Sequence, residues 1–339
     1  MRSLDAVVKS EKGEGHVELR DVPEKSPPAG AALVRVGAAG ICGSDLMILH
    51  DRFPGYKVPV VMGHEFAGEV AALGDGVRSV SVGDRVACET HAYVCGRCAY
   101  CRSGAYNLCQ ERLGYGYGVD GAFTKHVVVR EAIMHRLPDS VGMRDAALLE
   151  PLSVVVNALT ANARLSPGES VLVIGPGPIG VLSALLAKLA GCAVTVVGTE
   201  RSRRRLELAA SMGADAVLTV DEAAGPGFES AFDSVVIATG EPDAFEAALK
   251  HCRPRGQVVH VGESTKRASF TFSLIERKNI MVQGSFSHTW PAWERAISLL
   301  RDGKVDVSRL ITHRFPLRSW EEGFARAESR EGMKVLFEP

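Results

Sequence analysis

Along the first 150 residues the apolar positions come in short β-type runs: Ala31–Val36, Glu69–Ala72, Asp84–Ala87 and Thr124–Val129. Turn-forming stretches at 74–76 (Gly-Asp-Gly) and 82–84 (Val-Gly-Asp) separate them. This half is expected to be all-β and barrel-like, with a cysteine-bearing loop inserted. After Pro167-Gly168 the pattern changes. Val171–Ile174 reads as an apolar strand, Ile179–Ala190 as a helix apolar nearly all round, and Val194–Val197 as a second strand. An amphipathic helix, Ser202–Met212, and a third strand, Ala216–Val220, follow. Ser234–Ala238, Gln257–Val261 and Ile280–Gln283 repeat the strand pattern, with a helix at Pro242–His251. Strands alternating with helices predict a parallel, doubly wound sheet. From Trp290 a helix begins, and the chain closes on strand-like Lys334–Phe337, which can return to the first half. The expectation is an α/β protein: residues 1–153 with 290–339 as the β-barrel unit, and 154–289 as the doubly wound unit.

The stretch 170–199 carries one charge, Lys188, and so has the polarity of a membrane span. Gly175, Pro176, Gly177, Pro178 and Gly180 interrupt it, which fits a buried strand, a tight turn and a buried helix better. The length of 339 residues suits about two domains. Thirty-nine basic against 40 acidic residues leave a net charge of -1, which gives no electrostatic case for a nucleic-acid or membrane partner. Residues 1–14 are charged and lack an apolar core, so a secretory signal is not expected and a cytoplasmic setting is. With 8 cysteines in a chain of this size, reduced thiols are the default, and clustered ones indicate metal.

Cys95, Cys98, Cys101 and Cys109 form such a cluster. Four thiolates on one loop can close a tetrahedron around zinc and leave no open position, so this zinc is structural. A redox Cys-x-x-Cys pair would need only two of them. Gly175-Pro-Gly-Pro-Ile-Gly180 fits the dinucleotide-binding pattern and has the context it requires, after a strand and opening a helix. Gly175 permits the turn, Gly177 lets the backbone approach a pyrophosphate, and Gly180 lets the helix pack; Pro178 and Ile179 complete the turn. Near the end of the second strand stand Thr199, Glu200, Arg201 and Arg205. Glu200 suits the ribose diol of NAD, whereas Thr199 and the arginines suit the 2′-phosphate of NADP, or else form a solvated helix face. A more dispersed set is Cys42, His64, Glu65 and Glu150. A thiolate, an imidazole and carboxylates suit a catalytic zinc with an exchangeable position, but spacing alone does not pair them.

Cys42-Gly-Ser-Asp45, Gly63-His-Glu-Phe-Ala-Gly68, the four-cysteine loop, Glu150-Pro-Leu-Ser153 and the glycine motif occur in that order. On these residues the chain resembles the zinc-dependent medium-chain dehydrogenase/reductase family. Glu150-Pro-Leu-Ser153 and Thr312-His-Arg-Phe-Pro-Leu317 are similar to its sorbitol (L-iditol) and polyol branch. The resemblance implies a GroES-like catalytic domain and a Rossmann domain, with Cys42, His64 and Glu150 around a catalytic zinc and Glu65 as alternate ligand or close neighbour. It implies Ser44 as the hydroxyl that relays a proton, and it adds Val261 and Gly262 to the cofactor site. It draws the substrate pocket from Ile48, Phe53, Tyr115, Tyr117, Ser287 and His288. Met47 stands where many relatives have histidine, and Ile48 and Ser287-His288 replace polyol-gripping residues, so those contacts do not carry over.

The expected activity is hydride transfer from a secondary hydroxyl of a polyol, sugar or cyclitol to NAD(P), with two zinc ions and NAD ahead of NADP. The substrate is expected to lack a phosphate, because no basic residue stands in the family's arginine position. Glu65, Glu89, Asp120 and Glu150 raise an amino sugar or aminocyclitol as the alternative substrate. A non-catalytic nicotinamide-binding protein is a further reading, and intact Cys42, Ser44, His64 and Glu150 speak against it. A homo-oligomer, dimer or tetramer, is expected.

Overall fold

A computed structural model describes residues 3–339, which divide into two compact units. One runs through Glu150 and resumes at His288–Pro339; the other is Pro151–Ser287. The division falls inside a helix, Leu149–Thr160, that the sequence pattern did not announce.

The first unit is built on the long strand Ala31–Gly40, whose alternation breaks down because it is buried on both faces for most of its length. It pairs antiparallel with Glu65–Leu73, with His126–Arg130 and with the C-terminal strand Lys334–Glu338. The seven-stranded sheet runs Ile311–Pro316, Lys334–Glu338, Ala31–Gly40, Glu65–Leu73, Arg85–Cys88, Met134–Arg136, with His126–Arg130 off this path on Ala31–Gly40. A smaller sheet orders Val17–Pro23, Ser3–Lys9 and Val60–Val61. Val34, Val36, Phe66, Val70, Val86, Phe123, Val127 and Phe337 fill the space between them. Two features of this sheet position the chemistry. Gly40 pairs directly with Glu65, so the chain leaving the long strand at Cys42 passes beside His64 and Glu65. Leu336 also pairs with Gly40, which carries Lys334 to the same spot from the far end of the sequence.

The second unit is a six-stranded, all-parallel sheet: Ala216–Thr219, Ala193–Gly198, Ser170–Ile174, Phe232–Ile237, Cys252–His260, Met281–Gly284. In chain order this is 3-2-1-4-5-6, the dinucleotide-binding arrangement, with its topological switch point beside the first strand. Val171, Leu172 and Val173 are fully or almost fully buried, as expected where helices cover both faces. No helix among the described residues is long and apolar enough to cross a membrane.

Candidate active site and metal centres

Cys42 follows the long strand and caps the short helix Gly43–Leu49; its backbone N–H donates to Asp45 Oδ2 at 2.8 Å. Glu65 begins the neighbouring strand, and His64 immediately precedes it. Ligand atoms of Cys42, His64 and Glu65 all lie within 4.8 Å of one another, with His64 and Glu65 buried. Ser44 Oγ is 3.4 Å from His64 Nε2, and Asp45 Oδ1 stands 3.9 Å from His64 Nδ1. Neither Asp45 Oδ1 nor His64 Nδ1 has a hydrogen-bond partner, although both are buried.

The charges in this set are strongly linked. Burial raises the Cys42 thiol pKa, and the neighbouring Glu65 adds to that. Burial opposes a charge on His64, but the adjacent Cys42 and Asp45 outweigh it and hold the imidazolium well above its ordinary range. Lys334, also buried, pairs with Glu65 and donates to the Ile41 carbonyl at 3.2 Å. Burial works against the Lys334 charge, yet Glu65 and Cys42 raise its pKa overall. One sulfur, one nitrogen and one oxygen, converging around the buried His64 and Glu65, fit a tetrahedral zinc that keeps its fourth position open.

Glu150 lies outside that trio. Its Oε1 accepts from Thr90 Oγ1 at 3.1 Å and lies 3.5 Å from His288 Nε2. Burial would raise its pKa, but the His288 hydrogen bond and the nearby His64 and Lys334 charges prevail and bring it to about 2.

Cys95, Cys98, Cys101 and Cys109 also place their sulfurs within 4.8 Å of one another, and none is in a disulfide. Zinc–sulfur bonds of about 2.3 Å require tetrahedron edges of about 3.8 Å; Cys95 Sγ and Cys101 Sγ are 3.9 Å apart. Backbone N–H groups of Cys95, Cys98 and Cys101 each donate to a sulfur of the set at 3.4 Å. The N–H groups of Arg97 and Cys98 draw the Cys95 thiol down to about 6, whereas burial and the neighbouring thiols push Cys101 up to about 12. Four sulfurs so close do not all ionise without a cation among them, which is the environment zinc supplies.

In the second unit the glycine motif follows the strand Ser170–Ile174. Gly175 has φ 108°, and Gly180 lies against the Gly175 carbonyl and Ala238. Gly177 caps the helix Pro178–Leu189, with Pro178 at its first position and Ile179 next. A Cβ on Gly177 would meet nothing in the protein. The cradle is therefore open where a pyrophosphate would approach the helix N-terminus. Thr199 follows the adjacent strand, and its hydroxyl is 3.3 Å from that of Ser202. Glu200 is exposed and held by Arg203, with Nε 3.0 Å from Oε1; that hydrogen bond lowers its pKa. Arg201 is exposed, Arg205 is half-buried, and Val261 and Gly262 leave the fifth strand with both N–H groups on the Ile237 carbonyl. All these residues share the carboxyl edge of the sheet, where cofactors bind in this topology.

The expected substrate residues divide. Tyr117 stands edge-on to His64 at 6.1 Å and packs on Phe53 at 5.0 Å. Ile48 is fully buried in the core, and Tyr115 is buried with its hydroxyl donating to the Val128 carbonyl at 3.1 Å. Their side chains belong to the hydrophobic core. Ser287 has a positive φ of 56°, and its carbonyl accepts from Asn157. His288 is buried beside Glu150. Each carboxylate that raised an amine-bearing substrate has a partner: Glu65 has Lys334, Glu89 has Tyr106 and His135, Asp120 has Lys25, and Glu150 has Thr90 and His288. Sequence reasoning gave no role to Asp45, Thr90 or Lys334. A single lysine within the apolar run Met333–Phe337 was the one signal for the last.

The alcohol dehydrogenase GroES-like domain family matches residues 28–139, and the zinc-binding dehydrogenase family matches residues 178–302. The chain belongs to the zinc-dependent medium-chain dehydrogenases. It is an enzyme family of NAD(P)-linked oxidoreductases that bind zinc, consistent with both metal sets and the glycine cradle. Among its relatives in the family is the sorbitol dehydrogenase of Halalkalibacterium halodurans, 37% identical over 99% of each chain. The D-arabitol-phosphate dehydrogenase of Enterococcus avium is 33% identical, over 99% of this chain and 98% of its own. Among solved structures, a chain from Sinorhizobium meliloti 1021 with NADP bound superposes with a TM-score of 0.91 at 28% identity, covering both chains completely.

Proposed function

We propose that this dehydrogenase oxidises a secondary hydroxyl of an unphosphorylated polyol, sugar or cyclitol, with NAD as the preferred acceptor. The observation that carries the reading is the convergence of Cys42 with the buried His64 and Glu65. The identity to a sorbitol dehydrogenase along the whole chain supports the polyol class. Cys42, His64 and Glu65 would hold the catalytic zinc, and Cys95, Cys98, Cys101 and Cys109 the structural one. Zinc bound at the first set supplies Lewis-acid polarisation of the substrate hydroxyl. Lys334 fixes the Glu65 carboxylate, and Asp45 faces the His64 ring and orients it. Glu150 is ionised at rest and so can receive the hydroxyl proton, while Ser44, 3.4 Å from His64 Nε2, offers its hydroxyl to the reacting oxygen. Tyr117 and Phe53 form an aromatic wall beside His64 that selects among substrates.

The test is a panel of polyols, cyclitols, aminocyclitols, amino sugars, sugar phosphates and simple alcohols, followed by absorbance of reduced nicotinamide. Highest kcat/KM on a neutral polyol or cyclitol is expected. Best efficiency on a sugar phosphate or a plain alkanol contradicts the reading. For the cofactor, Glu200 accepts from both ribose hydroxyls and repels a 2′-phosphate. Glu200→Ala is expected to shift the NAD-to-NADP efficiency ratio towards NADP by about 10- to 100-fold, the worth of a charge-assisted hydrogen bond. An unchanged ratio removes Glu200 from the ribose site.

The homo-oligomer we place at the strand Met281–Gly284. It is the last strand of its sheet, and it exposes Met281 and Val282 with Phe286 nearby in sequence. An unpaired edge with apolar side chains is a self-pairing surface. A cytoplasmic setting agrees with the reduced thiols that the four-cysteine site requires.

A further inference from the structure

Oxidation of a secondary alcohol breaks one C–H and one O–H bond. The C–H electron pair leaves as hydride and reduces the nicotinamide, carbon is oxidised to a carbonyl, and the hydroxyl proton is released. Glu150 can take that proton, but it is only 8% exposed, and the proton must still reach water. Beyond Glu150 lies a second set of buried titratable groups that the activity has not used.

Thr90 Oγ1 lies between Glu150 Oε1, at 3.1 Å, and His288 Nε2, at 3.3 Å. On its other side the His288 ring points Nδ1 at Glu89 Oε2, 3.9 Å away. Glu89 Oε1 is 3.2 Å from His135 Nε2, and His135 Nδ1 is 2.6 Å from Glu294 Oε1. The Glu294 side chain is 54% exposed, whereas those of Glu89, His135 and His288 are 0% exposed. His135 is held in place by Trp293, stacked at 5.0 Å, and by Trp290 at 3.8 Å. Tyr106 fixes Glu89 by donating to both carboxylate oxygens at 2.9 Å. The 3.9 Å step exceeds a hydrogen bond, and His288 Nδ1 is a buried atom without a partner. A swing of the ring by about 1 Å closes it.

We propose that His288, Glu89 and His135 form a proton conduit that carries the proton from Glu150 to Glu294 at the surface. It rests on the dehydrogenase reading above. The proton reaches His288 Nε2 from Glu150, and the ring releases its Nδ1 proton to Glu89. Glu89 protonates His135 at Nε2, and His135 releases its Nδ1 proton to Glu294 and water. In ketone reduction the same groups run in reverse. His91, whose ligand atom lies within 4.8 Å of those of Glu89 and His288, is a side branch. Its Nδ1 accepts from Arg112 Nε at 2.6 Å, and its Nε2 donates to the His288 carbonyl at 3.0 Å. Both nitrogens are already used, which leaves His91 no lone pair for a metal.

His135→Gln tests the conduit far from the reacting atoms. Glutamine still hydrogen-bonds Glu89 but cannot pass a proton through a ring. In weakly buffered solution the variant's kcat is expected to fall about tenfold or more, within the range of acid–base effects, and imidazole should restore it. In stopped-flow records with a pH indicator, proton release should lag reduced nicotinamide in the variant and keep pace in the wild type. Glu294→Ala, at the exposed end where misfolding is not a concern, should show a smaller imidazole-sensitive fall. Wild-type kcat in both variants, or a loss that imidazole does not restore while proton release keeps pace, overturns the conduit and leaves the dehydrogenase reading standing. A wild type that turns over no alcohol with either cofactor overturns both. More than two zinc ions per chain would make Glu89, His91 and His288 a metal site and overturn it as well.

Discussion

His64→Ala is expected to abolish turnover, lowering kcat by about 10³-fold or more, because it removes one of the three groups proposed to hold the polarising metal; several kcal/mol of transition-state stabilisation depend on that metal. The imidazole is buried among Cys42, Ser44 and Asp45, so no solvent group can replace it. Metal analysis should find about one zinc lost per chain, with the thiol-rich loop still loaded. The core nearby is built from Phe66, Phe123 and Phe337, which His64 does not hold together. The folded protein should therefore persist by circular dichroism. Wild-type kcat in a folded variant would remove His64 from the reaction.

Cys98→Ser is expected to act on stability first. Cys98 caps the short helix Ala99–Arg102, and its sulfur accepts from the Cys101 N–H, so it organises the loop besides ligating. The loop, 95–109, contains little apolar packing of its own, and Tyr93, Tyr100 and Leu108 at or near it are exposed. Its order then depends on the metal, as in other small zinc-held segments. Loss of about one zinc and a fall in the melting temperature of about 5–15 °C are expected, as for a loss of a few kcal/mol in a domain of this size. Full zinc content with unchanged melting would contradict the structural role. Tyr106 and Arg112 also link this loop to Glu89 and His91, so some loss of activity should accompany the loss of metal.

The doubly wound unit was readable because its signals are local. Val171–Ile174, the glycine turn and the following helix are contiguous, and their spacing is set by the turn itself. The four-cysteine loop was readable for the same reason. The proposed catalytic set was not readable from spacing, because it is made by strand pairing. Cys42 meets His64 and Glu65 through the register of Ala31–Gly40 against Glu65–Leu73, and Lys334 comes from 269 residues beyond Glu65. Only the resemblance joined Cys42 to His64, with Glu150 as the third group and Glu65 as alternate ligand or close neighbour, and it did not include the lysine. Ile48 and Tyr115 show the same limit. A helix of seven residues does not declare which side is buried, and here Ser44, Asp45 and Ile48 face inward. The N-terminal strands Ser3–Lys9 and Val17–Pro23 escaped notice because charged residues interrupt them. Lys9 is nevertheless buried, its ammonium satisfied by the carbonyls of Gly13 and Gly15.

The central claim is that two zinc ions sit in two chemically different sets, one closed by four sulfurs and one held by Cys42, His64 and Glu65. Zinc quantitation combined with X-ray absorption at the zinc edge tests it most directly. About two zinc ions per chain are expected, with an average near 2.5 sulfur and 1.5 nitrogen or oxygen neighbours per zinc, because the second set has one sulfur, one nitrogen, one oxygen and a fourth position that water or substrate fills. About one zinc per chain surrounded by four sulfurs alone, in enzyme that still oxidises polyols, would contradict the account.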